Sequence, residues 1–135
     1  FIASVNGWKI CCNICYDLRF PVWSRQQVSE AGFEYDVLLY TANWPARRGL
    51  AWRTLLQARA IENQCYVVGV NRVGTDGLGV PHSGNSTVCN ALGEVLYHCA
   101  DAEEVHTITL YKEPLETLRQ QLPFWKDADA FNIID

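Results

Sequence analysis

A mixed α/β fold, parallel at its start and antiparallel at its end, is what three features of this 135-residue sequence predict. Apolar strand-like runs alternate with helical patterns through the first half. Shorter strand-like runs joined by turn residues fill much of the second. Hydrophobic side chains make up 49% of the chain against 19% charged, enough to offset the entropy of ordering with a packed core, so disorder is excluded.

The elements follow in order. Trp8–Cys15 (W-K-I-C-C-N-I-C) reads as a buried strand, apolar with little punctuation. Pro21, tolerated in a first helical turn, opens a predicted helix to Ala31, with Gly32 as its stop. Asp36–Thr41 is a second strand, ended by Asn43-Trp44-Pro45. Residues 47–64 carry the clearest helical pattern, with Leu50, Leu55, Ala58 and Ile61 near a 3.6-residue period. Cys65–Val73 is the third strand, and strand–helix–strand–helix–strand is the signature of parallel pairing through crossovers.

Past Gly74 the character changes. A Gly-rich loop spans Thr75–Gly84, and Ser86–Asn90 and Glu94–His98 read as a hairpin joined through Ala91-Leu92-Gly93. Val105–Leu110 alternates as a further strand, a helix is expected around Pro114–Gln121, and Trp125–Asp135 reads as an arm with little periodicity.

Charge and composition exclude several function classes. Eleven Lys and Arg against fifteen Asp and Glu give a net charge of -4, no footprint for nucleic acid. No apolar run approaches the roughly 18 residues of a membrane span, so no membrane partner is expected. Six cysteines in a chain with no secretory signal pattern are expected as reduced thiols in the cytoplasm. The chain contains no Met and begins at Phe1, next to an apolar strand pattern. We expect residues 1–135 to be the C-terminal portion of a longer single domain whose N-terminal half is missing.

Chemistry centres on Cys15, where an apolar strand gives way to a polar turn. Ligand and catalytic groups in open α/β sheets gather at the carboxyl ends of strands. A thiol there can meet substrate while backbone N–H groups face an oxyanion. Position alone leaves a buried structural cysteine as the alternative. Asp17 and Arg19 lie close and can pair with each other. Cys12 and Cys15 form a C-x-x-C, but residues three apart on a strand point to opposite faces and no second C-x-x-C follows, so no metal site is expected. Gly77, Gly79 and Gly84 do not form a phosphate-binding motif, and Asn85-Ser86-Thr87 matches a glycosylation sequon of little specificity. Arg47 and Arg48, cations at a helix N-terminus, either receive a substrate carboxylate together with free N–H groups or are simply solvated. Glu62 sits at the unfavourable end of the same helix, which calls for a partner within the fold. Trp44, at a strand end, can wall a pocket or belong to the core.

Cys15-Tyr16-Asp17-Leu18-Arg19-Phe20-Pro21 resembles the nucleophile segment of the nitrilase superfamily of carbon–nitrogen hydrolases. The likeness continues through Tyr40–Pro45, Ala58–Gln64, Asn71–Gly74 and Gly84–Thr87 in the family's order, and is strongest to the bacterial omega-amidase branch. The resemblance implies a four-layer α-β-β-α sandwich, present here as its C-terminal half, that pairs as a homodimer. It implies Cys15 as nucleophile and the Tyr16 backbone N–H as an oxyanion donor. A Glu base and a Lys lie in the N-terminal half, so this chain alone is expected to be inactive. It implies no metal or organic cofactor. The substrate expected is a small amide of the 2-oxoglutaramate type, hydrolysed to acid and ammonia through a thioester, with Asn43, Trp44 and Arg48 as candidate substrate-binding residues. The alternatives are a neighbouring branch acting on deaminated glutathione or a carbamoyl amine, a noncatalytic thiol or zinc module, and a degenerate member that only binds.

Overall fold

Asn6 and Gly7, both with positive φ (47° and 81°), turn the chain back on itself at the very start. They join β1 (Ile2–Val5) to β2 (Trp8–Ile14) as an antiparallel hairpin. Asn-Gly is the residue pair that two-residue hairpin turns favour, because both central positions need left-handed backbone. The computed structural model describes residues 1–134.

β2 pairs in parallel with β5 (Val37–Ala42), and β5 in parallel with β6 (Tyr66–Asn71). Between β5 and β6 runs α1 (Gly49–Asn63), entered through a 3-10 turn at Ala46–Arg48 and closed by Gln64 in left-handed conformation (φ 45°). The sheet then turns antiparallel. β8 (Pro81–Cys89) pairs with β6, and both β7 (Val73–Thr75) and β9 (Val95–Ala100) pair with β8. α2 (Lys112–Gln121) follows with Pro114 in its first turn. This is the expected mixed α/β chain, except that an antiparallel hairpin precedes the parallel strands β2, β5 and β6.

Alternation of side chains divides the core between the two faces of the sheet. On one face Trp52, Leu56 and Ala60 of α1 pack on Cys11, Leu38, Tyr40, Val67 and Cys89. Gly69 allows this approach, since a Cβ there would lie 2.5 Å from Leu56 Cδ1. On the other face Val37, Tyr66, Ala91 and Leu115 form a smaller cluster, with Trp8, Ile10, Val68 and Leu110 packed around it.

Three expected elements are corrected. The loop expected at Thr75–Gly84 is confined to residues 76–80, because Thr75 ends β7 and Pro81–Gly84 begin β8, the two strands being paired with each other. The helix from Pro21 to Ala31 is only a 3-10 turn at Pro21–Ser24, followed by a short ladder of β3 (Val28–Ser29) with β4 (Gly32–Phe33). Gln26 is held extended: its N–H donates to Asn63 Oδ1 (2.8 Å) and its Oε1 accepts from Tyr35 N–H (2.9 Å), bonds a helix would forfeit. Gly32 serves a turn at φ 89°, rather than a helix stop. The strand expected at Val105–Leu110 is absent, for residues 103–110 have no ladder. Their alternation is met by side-chain packing alone: Ile108 and Leu110 are half-buried while Val105 is 98% exposed. The tail is tied down at a 3-10 turn, Phe124–Asp127, where Trp125 meets Phe33 edge-on at 5.7 Å.

The pole of the sheet opposite Cys15 is fixed by a buried ion network. Asp36, just before β5, accepts from Arg119 Nη1 of α2 (2.9 Å) and from Lys9 N–H (3.1 Å), and Lys112 Nζ lies 3.3 Å away. Arg119 also donates to the carbonyls of Tyr35 and Gln64 (both 2.9 Å). Burial opposes ionisation of Asp36, but the Lys9 N–H, Arg119 and Lys112 outweigh it and hold the carboxyl below its ordinary value. A lowered carboxyl pKa gives stability that is present above the unfolded value, near 3.9, and is lost as pH falls through the folded one. In the full-length protein, Arg119→Met is expected to cost about 3 kcal/mol at pH 7, because it strands a buried carboxylate. Asp36→Asn is expected to flatten the loss of stability between about pH 5 and pH 3. Urea midpoints at those pH values check both.

Candidate active site

Cys15 stands at the carboxyl end of β2 and begins a 3-10 turn, Cys15–Arg19. Its φ is +39°, in the left-handed region that non-glycine residues seldom adopt. Such a conformation costs on the order of 1–3 kcal/mol and persists where the surroundings over-determine it. Asp17 supplies part of that constraint. Its carboxylate accepts from Ile14 N–H (2.9 Å) and its carbonyl from Phe20 N–H (3.0 Å), so the turn is closed on both sides. Leu18 is fully buried beneath it. Tyr16 is 62% exposed with its ring edge-on to Phe20 at 5.1 Å, and its N–H lies in the first turn, where N–H groups lack intrahelical partners.

The six thiols are all free, and their settings differ. Burial pushes the Cys11 and Cys65 thiols up, and Cys89 to about 11, which keeps them protonated and poor nucleophiles. Cys15 is half-buried at a strand end. Among the described residues no three His, Cys, Asp or Glu side chains converge as metal ligands.

The segment after β5 comes to the same edge of the sheet. Asn71, at the end of β6, accepts from Trp44 N–H (2.7 Å) and donates to the carbonyls of Trp44 (3.0 Å) and Gly84 (2.7 Å). Ser86 Oγ accepts from Asn71 N–H (3.0 Å), so β5, β6 and β8 are knotted together there. The Trp44 indole is 3% exposed, lies 5.5 Å from Trp52 and donates to the Arg48 carbonyl (2.8 Å). Trp44 therefore backs the site from within the core. Asn43 and Arg48 are exposed, with Arg48 immediately before the first residue of α1.

Charged residues resolve in ways that spacing alone left open. Asp17 and Arg19 do not pair: Asp17 holds Ile14, while the Arg19 guanidinium lies over the Trp44 ring at 4.8 Å. Glu62 has its partner within the fold, Arg59 Nη1 at 2.9 Å, which offsets its place at the negative end of α1. Arg59 Nη2 in turn donates to the Leu18 carbonyl at 2.7 Å. Sequence reasoning missed Arg59, Asn71 and the clasp made by Asp17. A signal for Arg59 existed, since it falls on the buried stripe of α1 with Trp52, Leu56, Ala60 and Asn63. The sequon is structural: Asn85 is buried at φ 57°, with its side chain bonded to Arg53 Nη1 (3.1 Å), Ser83 Oγ (2.8 Å) and His98 Nε2 (2.9 Å).

Residues 2–120 match the model of the carbon-nitrogen hydrolase family, and the chain belongs to that family. It is 48% identical over 134 residues to omega-amidase YafV of Escherichia coli K12, covering 98% of this chain and 50% of that protein. It is 32% identical over 124 residues to the 2-oxoglutaramate amidase of Bacillus subtilis, covering 92% of this chain and 46% of that one. Among solved structures, the CN-hydrolase superfamily protein XC1258 of Xanthomonas campestris superposes with a TM-score of 0.96 at 40% identity, over 98% of this chain and 51% of that one. Nit3 of Saccharomyces cerevisiae, of branch 10 of the nitrilase superfamily, gives 0.79 at 25% identity, over 91% and 45%. The chain thus spans about half the length of the curated relatives it matches.

Asn71→Ala removes one acceptor and one double donor, leaving the Trp44 N–H and two carbonyls without their partner. The expected cost in the full-length protein is about 3 kcal/mol, read as a lowered urea midpoint.

Proposed function

We propose that this chain carries the nucleophile of an amidase that hydrolyses the terminal amide of a small carboxylate-bearing substrate, of the 2-oxoglutaramate type, to acid and ammonia. The observation that carries the reading is Cys15, half-buried at a strand end and held at φ +39° by its own turn. The similarity to omega-amidase YafV and to 2-oxoglutaramate amidases supports the choice of substrate.

In the proposed cycle the Cys15 thiolate attacks the amide carbon. A C–S bond forms and the carbonyl electrons move to oxygen, where the Tyr16 N–H stabilises the charge. Collapse of the tetrahedral intermediate breaks the C–N bond, and the departing nitrogen takes a proton to leave as ammonia. Water then cleaves the thioester and restores the thiol. The general base and the oxyanion lysine implied by the family resemblance have no matching positions in residues 1–135. Arg48 and Asn43, exposed on the segment after β5, are suited to receive the substrate's carboxylate end. Trp44 would support that segment from behind. A homodimer and a cytoplasmic location complete the reading, and six free thiols support a reducing compartment.

The test is ammonia release from 2-oxoglutaramate by the protein expressed from its full coding sequence. Cys15→Ala is expected to lower kcat by at least about 10³-fold. Arg48→Ala is expected to raise KM about tenfold with kcat little changed, as loss of a carboxylate contact made equally in ground and transition states. Residues 1–135 alone are expected to release none. Undiminished release by Cys15→Ala overturns the assignment.

A further inference from the structure

We propose that Arg59, braced by Glu62, is the positioning residue that holds the Cys15 turn in its reactive conformation, acting through the Leu18 carbonyl. The inference rests on Cys15 being the nucleophile and deepens that reading.

A left-handed cysteine returns to ordinary backbone unless its neighbours forbid it. The clasp by Asp17 lies within the turn, so it fixes local shape without fixing the turn to the scaffold. Among the described residues, the one side-chain hydrogen bond that reaches residues 15–19 from outside segment 14–20 is Arg59 Nη2 to Leu18 O (2.7 Å). That bond joins α1, a rigid fifteen-residue helix, to the fourth residue of the nucleophile turn. Leu18 cannot shift without breaking it, and Cys15 is three residues away in the same turn.

Arg59 is an expensive residue for this place. It is 3% exposed, and its Nε has no protein partner among the described residues. A buried guanidinium is weak evidence for stability, because an apolar side chain of similar volume serves packing as well or better. What an apolar side chain lacks is a fixed fork of donors. Glu62, one helical turn on, occupies Nη1 at 2.9 Å and leaves Nη2 aimed at Leu18. The same end of α1 grips the chain again beyond the turn. Arg25 Nη1 donates to the Glu62 carbonyl, Gln26 N–H to Asn63 Oδ1 (2.8 Å), and Gln26 Nε2 to the Asn63 carbonyl (2.7 Å). Residues 18 and 25–26 are thus tied to one helix end, with Arg59 as the grip nearer the thiol.

Arg59→Lys and Glu62→Gln in the full-length protein test this. Lys keeps the charge but not the rigid fork that sets one donor on Glu62 and another on Leu18; Gln keeps an acceptor for Arg59 and removes the charge. The first readout is the rate of Cys15 alkylation by iodoacetamide, resolved by peptide mass spectrometry, which needs no amide substrate. The second is the split between kcat and KM for ammonia release, with thermal midpoints to confirm folding. Arg59→Lys is expected to slow Cys15 alkylation about tenfold and to lower kcat by about 10–100-fold with KM within about twofold, the signature of a misplaced reacting group. Glu62→Gln is expected to fall between Arg59→Lys and the parent. A folded Arg59→Lys that alkylates and turns over within about twofold of the parent overturns the proposal, and if Arg59→Lys does not fold, Glu62→Gln decides by the same limit. Should Cys15 of the parent alkylate no faster than Cys12, the nucleophile reading itself fails and this inference with it. Fast labelling in parent and variants alike removes the inference alone.

Discussion

A cysteine held at φ +39° at the end of a parallel strand is the constraint to which the rest of this chain answers. The conformation turns the chain out of β2 into the 3-10 turn, with Cys15 at the strand's carboxyl end against the edge of the core beneath α1. It is unfavourable in isolation, and the fold stabilises it from several sides. Asp17 closes the turn, Leu18 anchors it in the core, Arg59 ties it to α1, and Arg19 lies across the Trp44 ring. Each contact is ordinary alone. Together they leave Cys15 few alternatives.

The two poles of the sheet use different physics. At the carboxyl ends of the parallel strands, neutral hydrogen bonds from Asn71 and Ser86 lock the segment that holds Asn43, Trp44 and Arg48. At the opposite pole, Asp36 and Arg119 anchor α2 through buried charge, with Lys9 and Lys112 alongside. Charge at the far pole stabilises the frame, while around the Cys15 turn Asp17, Arg19 and Arg59 each set their charge against a local partner. Gly69 completes the frame by letting Leu56 and Trp52 reach the sheet, so α1 sits close enough for its last turns to hold the Cys15–Arg19 turn.

Sequence pattern carried the elements whose signal is local. The run from Trp8 to Cys15 and the third strand announce themselves by apolar spacing, and Glu62 announced its need for a partner by lying at the wrong end of a dipole. The helix expected at 47–64 forms, but not on the stripe read for it: Leu50 and Ile61 are exposed, and Trp52, Leu56, Arg59, Ala60 and Asn63 face the core. Features set by long-range contacts stayed hidden. Pro21–Ala31 has the composition of a helix start, yet Gln26 is captured by Asn63 thirty-seven residues away and the segment is drawn extended. Val105–Leu110 alternates like a strand but finds no ladder among the described residues. The Asn6-Gly7 hairpin was legible and overlooked. In the site, the strand end showed where Cys15 stands, and the family segments are what suggest its proposed role. Asp17 and Arg19 looked like mutual partners because sequence proximity does not show that Ile14 and Trp44 compete for them.

The most direct test of Cys15 as the nucleophile is to trap the covalent intermediate. The full-length protein is mixed with 2-oxoglutaramate, quenched in acid within the first turnovers, digested, and read by mass spectrometry. The account predicts one acyl adduct, its mass that of the substrate less ammonia, on the peptide containing Cys15. An adduct on a peptide carrying any of the other five cysteines, or steady ammonia release by a protein whose Cys15 remains unmodified throughout, would contradict it.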